Sequence, residues 1–159
     1  IEKLNSDVIR YFFIMRGVNT HLDFDLDLAM DESEKNPVYY LQYAHARIAN
    51  LLKRFNKEIT SKIKVNLSLL QEDNEIALMK KLSDFPTKMN QVHESLEPKQ
   101  LATYLEDLAT HYHKFYGNHK VINQENIDLS LARMKLCEAT QIILKIGLSI
   151  LGIQAPEKM

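Results

Sequence analysis

Near the end of the chain, Leu129, Ala132, Leu136, Ala139, Ile143, Ile146 and Ile150 alternate steps of three and four without a fault. That spacing places apolar side chains on one side of an α-helix, whereas a strand would send them to both faces. A long helix with one apolar stripe needs other helices to cover it, so the stripe narrows the fold class before anything else is read. Gly147 lies inside the stripe and allows close helix approach, and Gly152 ends the run. Cys137, beside the seam, reads as an inert buried thiol. Punctuation elsewhere is sparse: 4 Gly and 4 Pro in 159 residues favour long helices over strands and turns. The expected fold is all-α, an antiparallel helical bundle of about one domain's size.

Further helices follow from caps and breakers. Ser6 caps a first helix through Arg16, with Val8, Ile9, Phe12 and Phe13 in paired steps of four and Gly17 as its stop. Asp23 to Leu28 alternates like a strand, but its acidic continuation to Glu34 favours a helix start. The spaced acids imitate a calcium loop, yet Leu28 stands where that loop needs glycine, so no metal is expected. Asn36 and Pro37 open a long helix reaching the region of Lys57, and residues 59–70 read as loop plus a short turn. Asp73 or Asn74 caps a helix that ends before Pro86, and a short helix covers residues 87–96. Pro98 starts a helix carrying Leu101, Leu105, Leu108, Tyr112 and Phe115, with a left-handed stop at Tyr116-Gly117-Asn118.

Composition limits function. A formal net charge of -1 argues against a generally basic nucleic-acid coat, so any such binding must come from a local patch. The 1 Cys excludes an internal disulfide and suits a reducing, cytoplasmic setting. No apolar run is long enough to span a bilayer, and no signal peptide is recognisable. The chain opens at Ile1 without an initiator methionine, which suggests a piece of something longer.

The helix from Pro37 has two distinct faces. Leu41, His45, Ile48, Leu52 and Phe55 share one side and read as core. Tyr40, Tyr43, Arg47 and Arg54 step by three, four and seven, well round from that side. A core helix has no need of a second stripe of tyrosines and arginines. Planar rings with guanidinium forks are what proteins use to stack on and grip unpaired nucleotides. Lys53, Arg54, Lys57, Lys62 and Lys64 concentrate positive charge at and beyond the helix end. They fit phosphate contacts or simply cations at the negative end of the helix dipole.

Catalytic chemistry is missing. His111 and His113 are two apart on a helix and point to different sides. His93-Glu94 lacks the second histidine of a zinc-protease helix. His45 falls on an apolar side as a hydrogen-bonded core residue would, and no Gly-rich phosphate loop exists. The chain alone is expected to be inactive.

Asn36-Pro37-Val38-Tyr39-Tyr40-Leu41-Gln42-Tyr43-Ala44-His45-Ala46-Arg47 resembles the motif that opens the C-terminal helical domain of arginyl-tRNA synthetases, particularly bacterial ones. The likeness extends along nearly the whole chain. Ile9-Arg10-Tyr11-Phe12-Phe13 and His21 to Ala29 resemble the end of that family's catalytic core and its junction segment. Tyr104 to Ala109 and His113-Lys114-Phe115-Tyr116 resemble its middle helix; Leu131-Ala132-Arg133, Gly147-Leu148, Leu151-Gly152 and Ala155 to Met159 resemble its last helix and tail. The resemblance implies residues 1–29 as core end and junction, and 30–159 as an α-helical anticodon-binding domain.

It further implies a class I synthetase joining arginine to its tRNA with ATP and magnesium, monomeric and cytoplasmic, with this chain packed on its own catalytic domain. The family's ATP-binding signatures, similar to His-Ile-Gly-His and Lys-Met-Ser-Lys-Ser, are absent from this chain, so no cofactor is expected in it. The family's anticodon-loop contacts carry over to Tyr40, Tyr43, Arg47, Tyr116 and Met159, joined by Lys53, Arg54 and Lys57 as backbone contacts. For Tyr116 core packing competes with contact, and for Met159 a frayed tail does. Ile146, Gln141 and Lys158 depart from residues frequent in the family, and Lys158 keeps charge but lacks the guanidinium fork. Two other readings stay open: a helical protein-interaction module using the same aromatic–arginine face, and the anticodon-binding domain of another class I synthetase.

Overall fold

The computed structural model describes residues 4–16, 24–55 and 65–159. Helices α1 (Ser6–Ile14), α2 (Leu26–Met30) and α3 (Pro37–Arg54) precede a 3-10 turn at Leu67–Leu69. Then come α4 (Asp73–Ser83), α5 (Phe85–Ser95), α6 (Pro98–Asn118) and α7 (Ile127–Ile150). No strand occurs among the described residues. The all-helical expectation holds.

Short polar side chains set the helix starts by accepting from backbone N–H groups that have no partner within the helix. Asn36 Oδ1 accepts from Val38 N at 3.0 Å, Asp25 from Leu28 N at 2.9 Å and Asn126 from Leu129 N at 3.0 Å. Asn5, not the expected Ser6, caps α1 by accepting from Asp7 N at 3.0 Å. Glu72 and Glu75 form a capping box on α4. Helix α6 runs through Gly117 to Asn118, past the expected left-handed stop. Among the described glycines only Gly152 has positive φ, at 69°, where α7 turns into the tail.

Helix α6 is central and touches α1, α3, α4, α5 and α7. Its stripe of Leu101, Leu105, Leu108, Tyr112 and Phe115 is buried, as its spacing predicts. Against α7 it runs antiparallel, with Leu105 seated at Gly147. Along α3 the pairs Tyr40–Thr110, Tyr43–His113 and Arg47–Tyr116 advance together, so these two helices lie in the same sense.

The α7 stripe holds only in its first half. Ala132 and Leu136 are buried and Ile143 packs half-buried on the core, but Ile146 and Ile150 are 43% and 53% exposed, and Thr140, Leu144, Gly147, Leu148 and Leu151 take the inner side instead. A strict three–four alternation repeats every 3.5 residues, roughly, whereas a straight helix repeats every ~3.6, so the stripe slides by about 20° per heptad. Over this helix the slide moves the seam one residue onward.

Polar ties fix the outer helices. The Arg133 Nε–H donates to Glu75 Oε1 at 2.7 Å, joining α7 to α4, and the Tyr11 hydroxyl donates to Glu106 at 2.6 Å, joining α1 to α6. Val8 and Tyr11 of α1 belong to the same core as α3, α6 and α7.

Candidate nucleic-acid interface

Rotation along α3 separates the faces as expected: Leu41, His45, Ile48 and Leu52 are buried, and Phe55 packs half-buried on the core. On the other side, a cavity of about 180 Å³ is lined by Tyr43, Ala46, Arg47, Asn50, Leu51, Arg54, Tyr116 and Met159. Five candidate residues thus meet at one place: Tyr43, Arg47 and Arg54 from α3, Tyr116 from α6 and Met159 from the tail. Arg47 Cζ lies 4.3 Å from the Tyr116 ring centroid and 5.3 Å from that of Tyr43. A guanidinium between two rings is held by their negative faces, worth roughly 0.5–1 kcal/mol at an exposed site. Tyr39 extends the aromatic row, stacked on Tyr43 at 6.3 Å and 11°.

Two other candidates stand elsewhere. Tyr40 does not line the cavity; its hydroxyl donates to Thr110 Oγ1 at 3.4 Å and its ring lies 4.8 Å from His113. Lys53 forms an exposed ion pair with Glu157 at 2.8 Å. Lys57, like Lys62 and Lys64, lies outside the described residues. Asn50 and Tyr39 were missed as site residues. Asn50 stands seven residues after Tyr43 and three after Arg47, a spacing that already shares their face.

His113 backs the aromatic row, 6.1 Å from Tyr43 and nearly parallel to it, and 5.4 Å from Tyr112. Its Nε2 is buried without a partner among the described residues. Burial, and secondarily the Arg47 charge, hold this imidazole below its ordinary pKa, with Glu34 opposing. His45 is also lowered by burial; its Nδ1–H donates to the Pro156 carbonyl at 2.8 Å, which offsets part of the shift. A histidine whose folded pKa is depressed contributes stability that is full above about pH 6.5 and is lost as pH falls through the lower folded value. The melting temperature should therefore drop as pH is taken below 6.5, and His113→Gln should flatten part of that drop. A pH series of thermal melts with equal slopes in both proteins would remove His113 from the account.

The tail leaves α7 at Gly152 and follows α3. Gln42 Nε2 donates to Asp7 Oδ2 and to the Gln154 carbonyl, both at 3.0 Å, and the Gln154 N–H donates to Asp7 Oδ2 at 3.1 Å. Burial pushes the Cys137 thiol up to about 12, which leaves it without nucleophilic character. Among the described residues no three His, Cys, Asp or Glu side chains converge to hold a metal, and no helix is long and apolar enough to cross a membrane.

A helical bundle with this course is the one found in the C-terminal domains of arginyl-tRNA synthetases. Thermus thermophilus arginyl-tRNA synthetase matches 96% of the chain over 26% of its own, with a TM-score of 0.81 and 28% identity. The chain belongs to the DALR anticodon binding domain family, whose model matches residues 41–159. Arginine–tRNA ligases of Carboxydothermus hydrogenoformans and Salinibacter ruber are 44% and 46% identical over all of it. The chain spans 29% and 28% of those relatives' length.

Proposed function

We propose that the Tyr43–Arg47–Tyr116–Met159 cavity holds unpaired anticodon nucleotides of an arginine tRNA. The parent protein is then an arginine–tRNA ligase, cytoplasmic and monomeric, that charges this tRNA with ATP and magnesium. The observation that carries the reading is the convergence of two rings, a guanidinium and an apolar tail residue around one opening, with Arg54 at its rim. Rings give a base a stacking face of any sequence, while the guanidinium and the Asn50 amide offer donors to a base edge or phosphate. Tyr40 supports this row through His113, and Lys53 and Lys57 add charge along the approach of the RNA backbone. Residues 1–29 fit the end of a catalytic core and its junction, and 30–159 the anticodon-binding domain. The ATP-dependent step belongs to the catalytic core; none of this chain's residues is assigned a part in it.

The test is a titration with the anticodon hairpin of an arginine tRNA, the same hairpin with its anticodon changed, and an unrelated hairpin. Tyr43→Ala should weaken binding of the first by roughly 1–3 kcal/mol. Arg54→Ala should lower the slope of affinity against salt by about one charge. Equal affinity for all three hairpins, or no effect of Tyr43→Ala and Tyr40→Ala together, would dispose of the reading.

A further inference from the structure

Resting on the anticodon reading, we infer that Asp7 is a positioning residue for recognition: it tethers the C-terminal tail and so sets Met159 at the mouth of the cavity. Asp7 lies on α1, outside the 41–159 stretch that matches the anticodon-binding family. Its side chain is buried, 5% exposed, yet among the described residues it is paired with no cation; it accepts from the Gln154 N–H and from Gln42. Gln42 at the same time donates to the Gln154 carbonyl, so both backbone polar groups of one tail residue are gripped from α1 and α3. Two residues on, His45 holds the Pro156 carbonyl. These bonds leave Met159 beside Tyr43, Arg47 and Tyr116.

A second contact from α1 works on the root of the tail. The Arg10 guanidinium lies over Gly152, where an added Cβ would sit 2.6 Å from Nη1. Asp7 and Arg10 are three apart and share a side of α1, so one face of that helix holds both the turn that starts the tail and the tail itself. Burying a carboxylate is costly, and the two N–H donors from Gln42 and Gln154 offset that cost. Loss of either donor or acceptor leaves the tail fastened by weaker bonds.

The experiment uses the 159-residue chain with labelled methionine methyls, Met159 being assigned by its deletion. Asp7→Ala should speed amide exchange at Gln154 by roughly tenfold or more, and move the Met159 methyl signal to its free-peptide position. Affinity for the arginine anticodon hairpin should fall by the same factor as on deleting Met159, and combining the two changes should cost no more than either alone. Gln154→Pro removes the same N–H from the exposed tail while leaving Asp7 in place, and should repeat the Met159 methyl shift and the loss of hairpin affinity if Asp7→Ala does not fold. Asp7→Asn, which keeps an acceptor oxygen, should restore most of the protection. Unchanged exchange at Gln154, or additive losses in RNA affinity, overturns the role of Asp7. Absence of hairpin binding by the unaltered chain, with exchange behaving as stated, overturns the anticodon reading and takes the recognition role with it.

Discussion

Arg133→Ala should lower the free energy of unfolding by about 3–5 kcal/mol, the cost of breaking a buried ion pair from one side. The Arg133 side chain is 11% exposed and its partner Glu75 is 0% exposed. Among the described residues Arg133 is the one cation paired with Glu75; the other carboxylate oxygen is engaged by the Glu72 N–H at 3.0 Å. Truncating the arginine strands a carboxylate with half its hydrogen bonds in an apolar seam between α4 and α7. It also frees the Lys120 carbonyl, which accepts from Arg133 Nη1 at 3.0 Å and anchors the stretch before α7. Charge removal from both sides should cost much less: Arg133→Met with Glu75→Gln keeps the capping box and leaves no ion without a partner. Urea unfolding of the single and double variants measures the difference. A loss below about 1 kcal/mol for Arg133→Ala would mean that water reaches Glu75 and that the pair acts like a surface one.

The residues of the recognition face differ in how far the sequence can place them. Tyr43, Arg47, Asn50 and Arg54 share one helix, so rotation alone groups them, and the face is legible without a fold. Tyr40 passes the same test, lying within about 20° of Arg47 by rotation, but it stands two turns before it, about 10 Å away along the axis. There it meets Thr110 and His113 and serves as backing for the row. Tyr116 reaches the cavity only because α3 and α6 lie side by side in the same sense, a fact of topology. Met159 depends on a contact spanning almost the whole chain, from Asp7 to Gln154. No periodicity reports such a contact, nor the pairing of Lys53 with Glu157. The α7 seam was misplaced for a subtler reason: the alternation that identified the helix is not the period at which a straight helix repeats.

Gly147→Val should destabilise the fold by about 2–3 kcal/mol, although valine is the better helix former by roughly 0.5 kcal/mol. At this position the local preference and the packing disagree, and packing decides. A Cβ on Gly147 would stand 2.5 Å from Leu105 Cδ2, 2.8 Å from Cδ1 and 3.1 Å from Cγ. Leu105 is 0% exposed at the centre of the bundle, so its methyls have no open space to swing into. Either α7 lifts off α6, or Leu105 leaves its rotamer. Because α7 delivers the tail, a lift at Gly147 also shifts the turn at Gly152 and the tether beyond it. The cause is separable from helix propensity by a double-variant cycle. Leu105→Ala alone should cost about 2–5 kcal/mol through the cavity it leaves. With Leu105 shortened, adding Gly147→Val should cost nothing further and fill part of that space, giving a coupling of 2 kcal/mol or more, roughly, between the two sites. Additive losses in thermal or urea unfolding would show that the valine is harmful for a reason other than the contact with Leu105, and the close approach of α6 and α7 would lose its role as the register of the bundle.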